Sequence, residues 1–142
     1  MPKRPQPETF LIPYPPSVNK STTVCRGRKI KSAHARKWEK ITLEELQLQR
    51  PRQITPPYRI TITLYPDSKR RFDPDNRIKS VLDVMVKSGI LEDDNSGCAP
   101  DTRVRMGVLV PKAFCLVTIE AIEYQAEPIP KDLINGIPPF GV

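Results

Sequence analysis

Cysteine and histidine are scarce in this chain, which holds three cysteines, Cys25, Cys98 and Cys115, and one histidine, His34, with no Cys-x-x-Cys pair. A structural zinc site draws on closely spaced nitrogen and sulfur donors, so this set argues against one. The odd thiol count, and the lack of an apolar N-terminal stretch of signal-peptide type, lead us to expect a reducing, cytosolic setting. Long apolar runs are missing too, so no membrane span is expected, and no segment pairs a basic face with a bulky apolar one as a membrane-surface helix would. There is no internal repeat, and no biased tract before the proline-rich end. Acidic residues are also in deficit, 16 against 23 Lys and Arg, for a formal charge of +7. Such a surplus concentrates polyanions at the surface, and nucleic acid is the leading partner.

The 142 residues, 38% apolar and 27% charged, fit one soluble globular core, because a second core would be starved of apolar surface. Phe10-Leu11-Ile12 reads as a short strand entering a rigid loop, Pro13 to Asn19, where prolines forbid a helix. Residues 20 to 37 contain Lys20, Arg26, Arg28, Lys29, Lys31, Arg36 and Lys37 and no acid, and read as a basic loop. A helix is expected from the N-cap Ser32 to about Gln49, with Trp38 and Ile41 on one side and Pro51 stopping it. Tyr58 to Tyr65 alternates and is rich in β-branched and aromatic residues, which predicts a strand ended by Pro66-Asp67.

The clearest helix follows, with Ile78, Val81, Leu82, Met85 and Val86 on one face and Lys79, Asp83 and Lys87 on another. Asp75 or Asn76 is expected to cap its start and Gly89 to end it. Two further strands, near Val104 to Val110 and Phe114 to Tyr124, are expected to form an antiparallel hairpin across Pro111-Lys112-Ala113. The order β-α-β-α-β-β predicts a single α/β domain, a mixed β-sheet with flanking helices, over residues 1–126, followed by a Pro-rich C-terminal tail, 127–142, lying extended or disordered.

The chemically informative stretch is Lys69-Arg70-Arg71-Phe72-Asp73-Pro74-Asp75-Asn76-Arg77-Ile78-Lys79, where a basic run meets two carboxylates at the mouth of a helix. In extended geometry side chains i and i+2 share a side, so Asp73 and Asp75 can converge on one hard cation, with Lys79 a helical turn beyond Asp75. Beyond Gly89 the chain presents Asp93 and Asp94, which reach the helix start only if the fold doubles back. Oxygen ligands of this kind suit Mg²⁺. The same residues admit a plainer reading, a turn with an N-cap followed by a solvated acidic loop. Neighbouring Arg70, Arg71 and Lys79 weigh against it, since carboxylates at a phosphate-binding surface repel the ligand unless a cation sits between them.

In the pattern Arg71-Phe72-Asp73-Pro74-Asp75-Asn76, Lys79, Asp83, Gly89 and Asp93-Asp94, joined by Pro13 to Asn19 and Arg26-Gly27-Arg28, the sequence resembles the RusA family of Holliday junction resolvases over residues 9 to 124. The resemblance implies that Asp73, Asp75 and Asp94 are the essential, metal-holding acids and that Lys79 is needed with them. It further implies a homodimer that uses Mg²⁺ to make paired nicks in four-way DNA junctions during recombination and repair, often prophage-encoded, with no organic cofactor and no membrane partner; the residues themselves leave the choice between Mg²⁺ and Mn²⁺ open. The chain departs from the family pattern where Phe72 separates the basic run from the first carboxylate, and where Asn95 to Pro100 follow Asp94 in place of an apolar strand.

The expected chemistry is phosphodiester hydrolysis by a metal-activated water, with Lys79 stabilising charge on the phosphoryl oxygens or leaving group. Arg26, Arg28, Lys29, Lys31, Lys69, Arg70 and Arg71 are expected to contact DNA phosphates. Two other classes share these residues: a structure-selective nuclease of flaps or single strands, and a non-catalytic basic nucleic-acid-binding module. Metal-dependent nicking excludes the second, and a panel of substrates separates the first.

Overall fold

The computed structural model describes residues 5–17, 22–70 and 74–140. Its elements run β1 (Glu8–Pro13), β2 (Thr22–Cys25), β3 (Arg28–Lys31), α1 (Ala33–Gln49), β4 (Tyr58–Tyr65), α2 (Asp75–Lys87), β5 (Asp101–Met106) and β6 (Phe114–Ala121). Four strands form one mixed sheet in the order β1-β6-β4-β5, and β2 pairs with β3 in a separate ribbon. The α/β class and single mixed sheet with flanking helices are therefore as expected.

The central strand β4 shows why. Its residues alternate between buried and partly buried, with Tyr58, Ile60, Ile62 and Leu64 wholly buried on one side. Phe10 and Ile12 of β1 and Cys115, Val117 and Ile119 of β6 join them, and both helices lay Trp38, Leu46, Val81, Val84 and Met85 into the same cluster. Each such aliphatic side chain, fully buried, contributes about 1.5–3 kcal/mol. The far side of the sheet holds polar pairs instead. Arg59 bonds Asp101 at 2.8 Å and reaches Glu120 at 3.5 Å, and Thr9 meets Thr118 at 3.2 Å.

Helix α1 starts and stops where its sequence signals lie. Ser32 caps it by accepting from the Ala35 amide at 3.1 Å, and Arg50 closes it in the left-handed region, one residue before Pro51. Its buried stripe is Ala35, Trp38, Thr42 and Leu46, whereas Ile41 stays 39% exposed. The expected Trp38–Ile41 side is thus corrected. Ile41 stands about 100° around the helix from Thr42, and Thr42 can be buried because its hydroxyl donates to the Trp38 carbonyl at 2.7 Å.

Two pairings differ from expectation. The basic segment is a hairpin rather than a loop: Arg26 and Gly27, both at positive φ, make the two-residue turn that matches strand twist. Arginine at that first turn position is a weak hairpin signal, and the described side chains of both strands are exposed, so no alternation betrays them.

The second correction concerns β5 and β6, which do not pair. β5 runs parallel to β4 on one edge, and β6 runs antiparallel to β4 on the other, where it also pairs with β1. A parallel neighbour requires a crossover, and α2 supplies it, carrying the chain from the end of β4 back to the start of β5. The link from β5 to β6 then crosses the strand ends beside the Tyr65 ring, which stacks on Phe114 with centroids 4.6 Å apart. Gly107 allows that crossing, since a Cβ there would stand 2.4 Å from the Tyr65 ring.

Candidate active site

Helix α2 is the platform on which the predicted residues stand. Gly89, at φ +85°, ends it as expected. Its start is different: Pro74 occupies the cap position without a side-chain bond, so neither Asp75 nor Asn76 caps it. The Asp75 carboxylate is exposed in the first turn, where the helix dipole favours a negative charge. The helix start is held from the other side by Arg77, which donates to the Pro15 carbonyl at 2.6 Å and lies 4.9 Å over the Tyr14 ring. The Pro13 to Pro16 segment is thus tied through Arg77 to the first turn of α2, which carries Asp75, a contact that motif spacing alone did not single out.

Exposed Lys79 stands one turn further along and faces a groove of about 450 Å³ between the hairpin, α1 and α2. Asp83 and Lys87, from the same helix face, line it with Lys29 and Lys31 of the hairpin. Its floor is apolar, formed largely by Ile30, Trp38 and Val84. Separate stretches of sequence thus bring their cations to one cleft. Arg26 and Arg28 are exposed at the hairpin end, and Lys69 and Arg70 are exposed in the segment beyond β4. Asp73 and Arg71 lie outside the described residues, as does Phe72.

The acidic loop after α2 is tied to the core. The wholly buried Tyr58 sends its hydroxyl to Asp93, donating to the carbonyl and accepting from the amide at 3.3 Å. The Tyr58 amide also bonds the Cys98 carbonyl at 2.9 Å. Within the loop, Asn95 accepts from the Gly97 and Cys98 amides at 3.0 and 2.9 Å, so the residues after Asp94 form a closed turn. Asp93 spends its carboxylate internally, accepting from the Asp94 amide at 2.7 Å and the Asn95 side chain at 2.9 Å.

Those bonds hold the Asp93 carboxyl below the ordinary aspartate range. Asp94 behaves in the opposite way: burial first, then Asp93 and the charge of Asp83, push its carboxyl up. Asp94, exposed in its loop, thus feels the charge of Asp83 in the second half of α2. A carboxylate held against like charges is the donor a hard cation relieves, and hard oxygen donors fit Mg²⁺. Among the described residues no three His, Cys, Asp or Glu side chains gather closely enough to hold a metal. The expected trio of Asp73, Asp75 and Asp94 has one member outside that description.

Glu39 of α1 is a functional-site neighbour that nothing in its local sequence marks. It takes Lys31 on one oxygen and Lys87 on the other, joining the hairpin to α2, and both lysines hold its carboxyl low. The three cysteines are free thiols, and burial pushes Cys115 up to about 12. Among the described residues no helix is long and apolar enough to cross a membrane.

This arrangement has counterparts among known proteins. The family profile described as Endodeoxyribonuclease RusA matches residues 13–99. A crossover junction endodeoxyribonuclease of Enterobacteria phage HK97 is 34% identical over 119 residues, covering 80% of this chain and 94% of its own. Another from Aquifex aeolicus (strain VF5) is 32% identical over 90 residues, covering 62% of this chain and 71% of its own.

Proposed function

Since the chain belongs to the RusA family and is an endodeoxyribonuclease acting on DNA phosphodiester bonds, we propose that it resolves four-way junctions by paired nicks, as a Mg²⁺-dependent homodimer serving recombination and repair. The observations that support this reading are the groove that gathers Lys79 with Lys29, Lys31 and Lys87, and an acidic loop, tied to the core through Tyr58 and Asp93, whose Asp94 feels the charge of Asp83 on the helix that also bears Lys79.

Asp75 and Asp94, together with Asp73, would hold the cation, which when bound supplies an activated water and neutralises charge on the phosphoryl oxygens. Mn²⁺ offers the same oxygen preference. Lys79 faces the groove from the helix that carries Asp75 and places an ammonium where charge develops on a phosphoryl oxygen or leaving group. Asp83, one turn beyond Lys79, lines the same groove. Each carboxylate oxygen of Asp93 already accepts one hydrogen bond within its loop, which favours Asp94 as the ligand of the pair.

Arg26, Arg28, Lys29 and Lys31 on the hairpin, with Lys69, Arg70 and Arg71 before α2, bind phosphates and release counterions without reading sequence. Junction selection then comes from geometry, because a two-fold dimer presents two such sites to a substrate with approximate two-fold symmetry. Residues 1–126 form the nuclease domain. The Pro-rich remainder, 127–142, is a tail, since from Glu123 to Phe140 each residue is exposed and no strand or helix follows Ala121 among the described residues.

The test is cleavage of labelled four-way junction, fork, flap and linear duplex with and without Mg²⁺. Symmetric paired nicks in the junction, dependent on the cation, are the expected result. Preferred cutting of flaps or single strands would overturn junction resolution, and binding without nicking under any divalent cation would overturn the enzyme.

A further inference from the structure

The groove beside Lys79 contains an anion of the protein's own. Glu39 is only 13% exposed at its side chain, yet its two carboxylate oxygens meet two lysines from opposite walls, Lys31 on Oε2 and Lys87 on Oε1. Two anionic oxygens on one atom, each taken by a separate ammonium, is also how a phosphodiester presents its two non-bridging oxygens. Although Glu39 is mostly covered, both lysines are largely exposed, at 50% and 63%, so solvent and a second anion reach their free donors and can compete for them. Each ammonium has three donors and can turn to a new acceptor without leaving the groove.

What lies below and beside these charges selects the competitor. The groove, at about 450 Å³, is large enough for a nucleobase, and Ile30, Trp38 and Val84 give it an apolar floor. Lys29 and Lys79 add two further cations, against Asp83 and Glu39 as the acids of the lining. An apolar floor beneath a cationic rim matches an unstacked nucleotide, with its base on the floor and its phosphate at the rim. An acidic peptide would satisfy the rim and leave the floor unused.

We propose that this groove is a subsite for one unpaired nucleotide of the DNA strand next to the cut, with Glu39 standing in the place of its phosphate between Lys31 and Lys87 until the strand arrives. The proposal rests on the nuclease reading above, because Lys79 is shared between the groove and the reacting phosphate. An unpaired nucleotide is what a branch point provides and an intact duplex withholds. Displacement of Glu39 therefore gives the enzyme a local sensor of unpaired DNA, independent of the symmetry of the dimer.

The chain has one tryptophan, Trp38, and it lies in this floor, so its emission reports the groove directly. The experiment titrates the full-length protein with a six-nucleotide oligo-dT in EDTA, so that no cleavage intervenes, following Trp38 emission and the anisotropy of a labelled copy together. Saturable quenching is expected in the wild type. Lys31→Ala with Lys87→Ala is expected to weaken it by about tenfold or more.

Glu39→Gln is expected to tighten binding several-fold beyond Glu45→Gln, which makes the same change in net charge on an exposed position of α1 away from the groove. This single variant keeps the proposal falsifiable if the double lysine variant folds poorly. Equal effects of Glu39→Gln and Glu45→Gln, anisotropy change without a change in Trp38 emission, or no oligonucleotide binding would each overturn the subsite. Paired nicking of junctions alongside any of these leaves the nuclease reading intact. Trp38 quenching without nicking of any substrate overturns that reading and leaves a strand-binding groove.

Discussion

Tyr58 and Asp93 stand 35 positions apart in the chain, yet one phenolic hydroxyl satisfies both backbone groups of Asp93. The core strand β4 thereby fixes the loop that carries Asp94. Tyr58→Phe keeps the buried ring and removes only these bonds, leaving a partly buried amide and carbonyl without their partner. We expect a loss of about 1–2 kcal/mol in urea unfolding. If the loop orients a carboxylate that holds the metal, as proposed, the Mg²⁺ concentration for half-maximal cleavage should rise by about tenfold or more. Unchanged Mg²⁺ dependence in a destabilised variant would separate the tie from the active site.

Asp94 and Asp75 should be essential to cleavage and Asp93 dispensable. Asp94→Asn and Asp75→Asn are each expected to abolish nicking while junction binding stays within a few-fold of wild type, because the phosphate-binding cations remain. Asp93→Asn retains an oxygen for the Asp94 amide and should keep a substantial fraction of activity. Asp94 has a further signature. Its carboxyl is raised in the fold, so its neutral form is favoured there, and stability falls as pH rises through its titration above the ordinary aspartate value. Asp94→Asn should therefore melt at or above the wild-type temperature at pH 7 without metal, while inactive. An inactive Asp93→Asn beside an active Asp94→Asn would reverse the assignment.

The Glu39 clamp should open in acid. Its carboxyl is held below the ordinary value of 4.5, first by Lys31 and then by Lys87. A lowered acid contributes stability that is complete above its unfolded value and lost as pH falls through its folded one, so the loss lies below 4.5. Trp38 emission should change over that interval as the hairpin and α2 lose their shared anchor, with no unfolding of the sheet by circular dichroism. Glu39→Gln should remove the transition.

The hairpin should set the salt dependence of DNA affinity. Combined Arg26→Ala, Arg28→Ala and Lys29→Ala is expected to weaken junction binding and to flatten the plot of log affinity against log salt by about one unit for each phosphate left without its cation. The exposed ribbon contributes no side chain to the buried cluster, so the melting temperature should hardly move. An unaltered slope would mean that the ribbon faces away from DNA.

Elements whose local pattern repeats the geometry of a half-buried surface were legible from the chain alone. β4 emerged at its full length, Tyr58 to Tyr65, because one side of it is core, and period 2 cannot be mistaken there. Helix α1 began at Ser32 and ended before Pro51 because a cap and a missing amide act locally. The spacing that set Lys79 one turn beyond Asp75 on a helix holds in α2. Asp73 and Arg71 lie outside the described residues and remain expectations of the motif.

Packing in three dimensions settled what no window of sequence contains. β5 has two edges it could join, and α2 carried it to the free edge of β4, so the expected hairpin gave way to a parallel pair. Val84, off the regular apolar stripe of α2, is buried and lines the groove with Trp38 of α1, while Ile41 of α1 stays 39% exposed. Tyr58 with Asp93, and Lys31 with Glu39 and Lys87, join distant segments, and each pairing depends on a direction of approach that folding sets. Charge and periodicity act between neighbours along the chain. The groove and the pinned acidic loop exist only because separate stretches pack onto one face of a sheet.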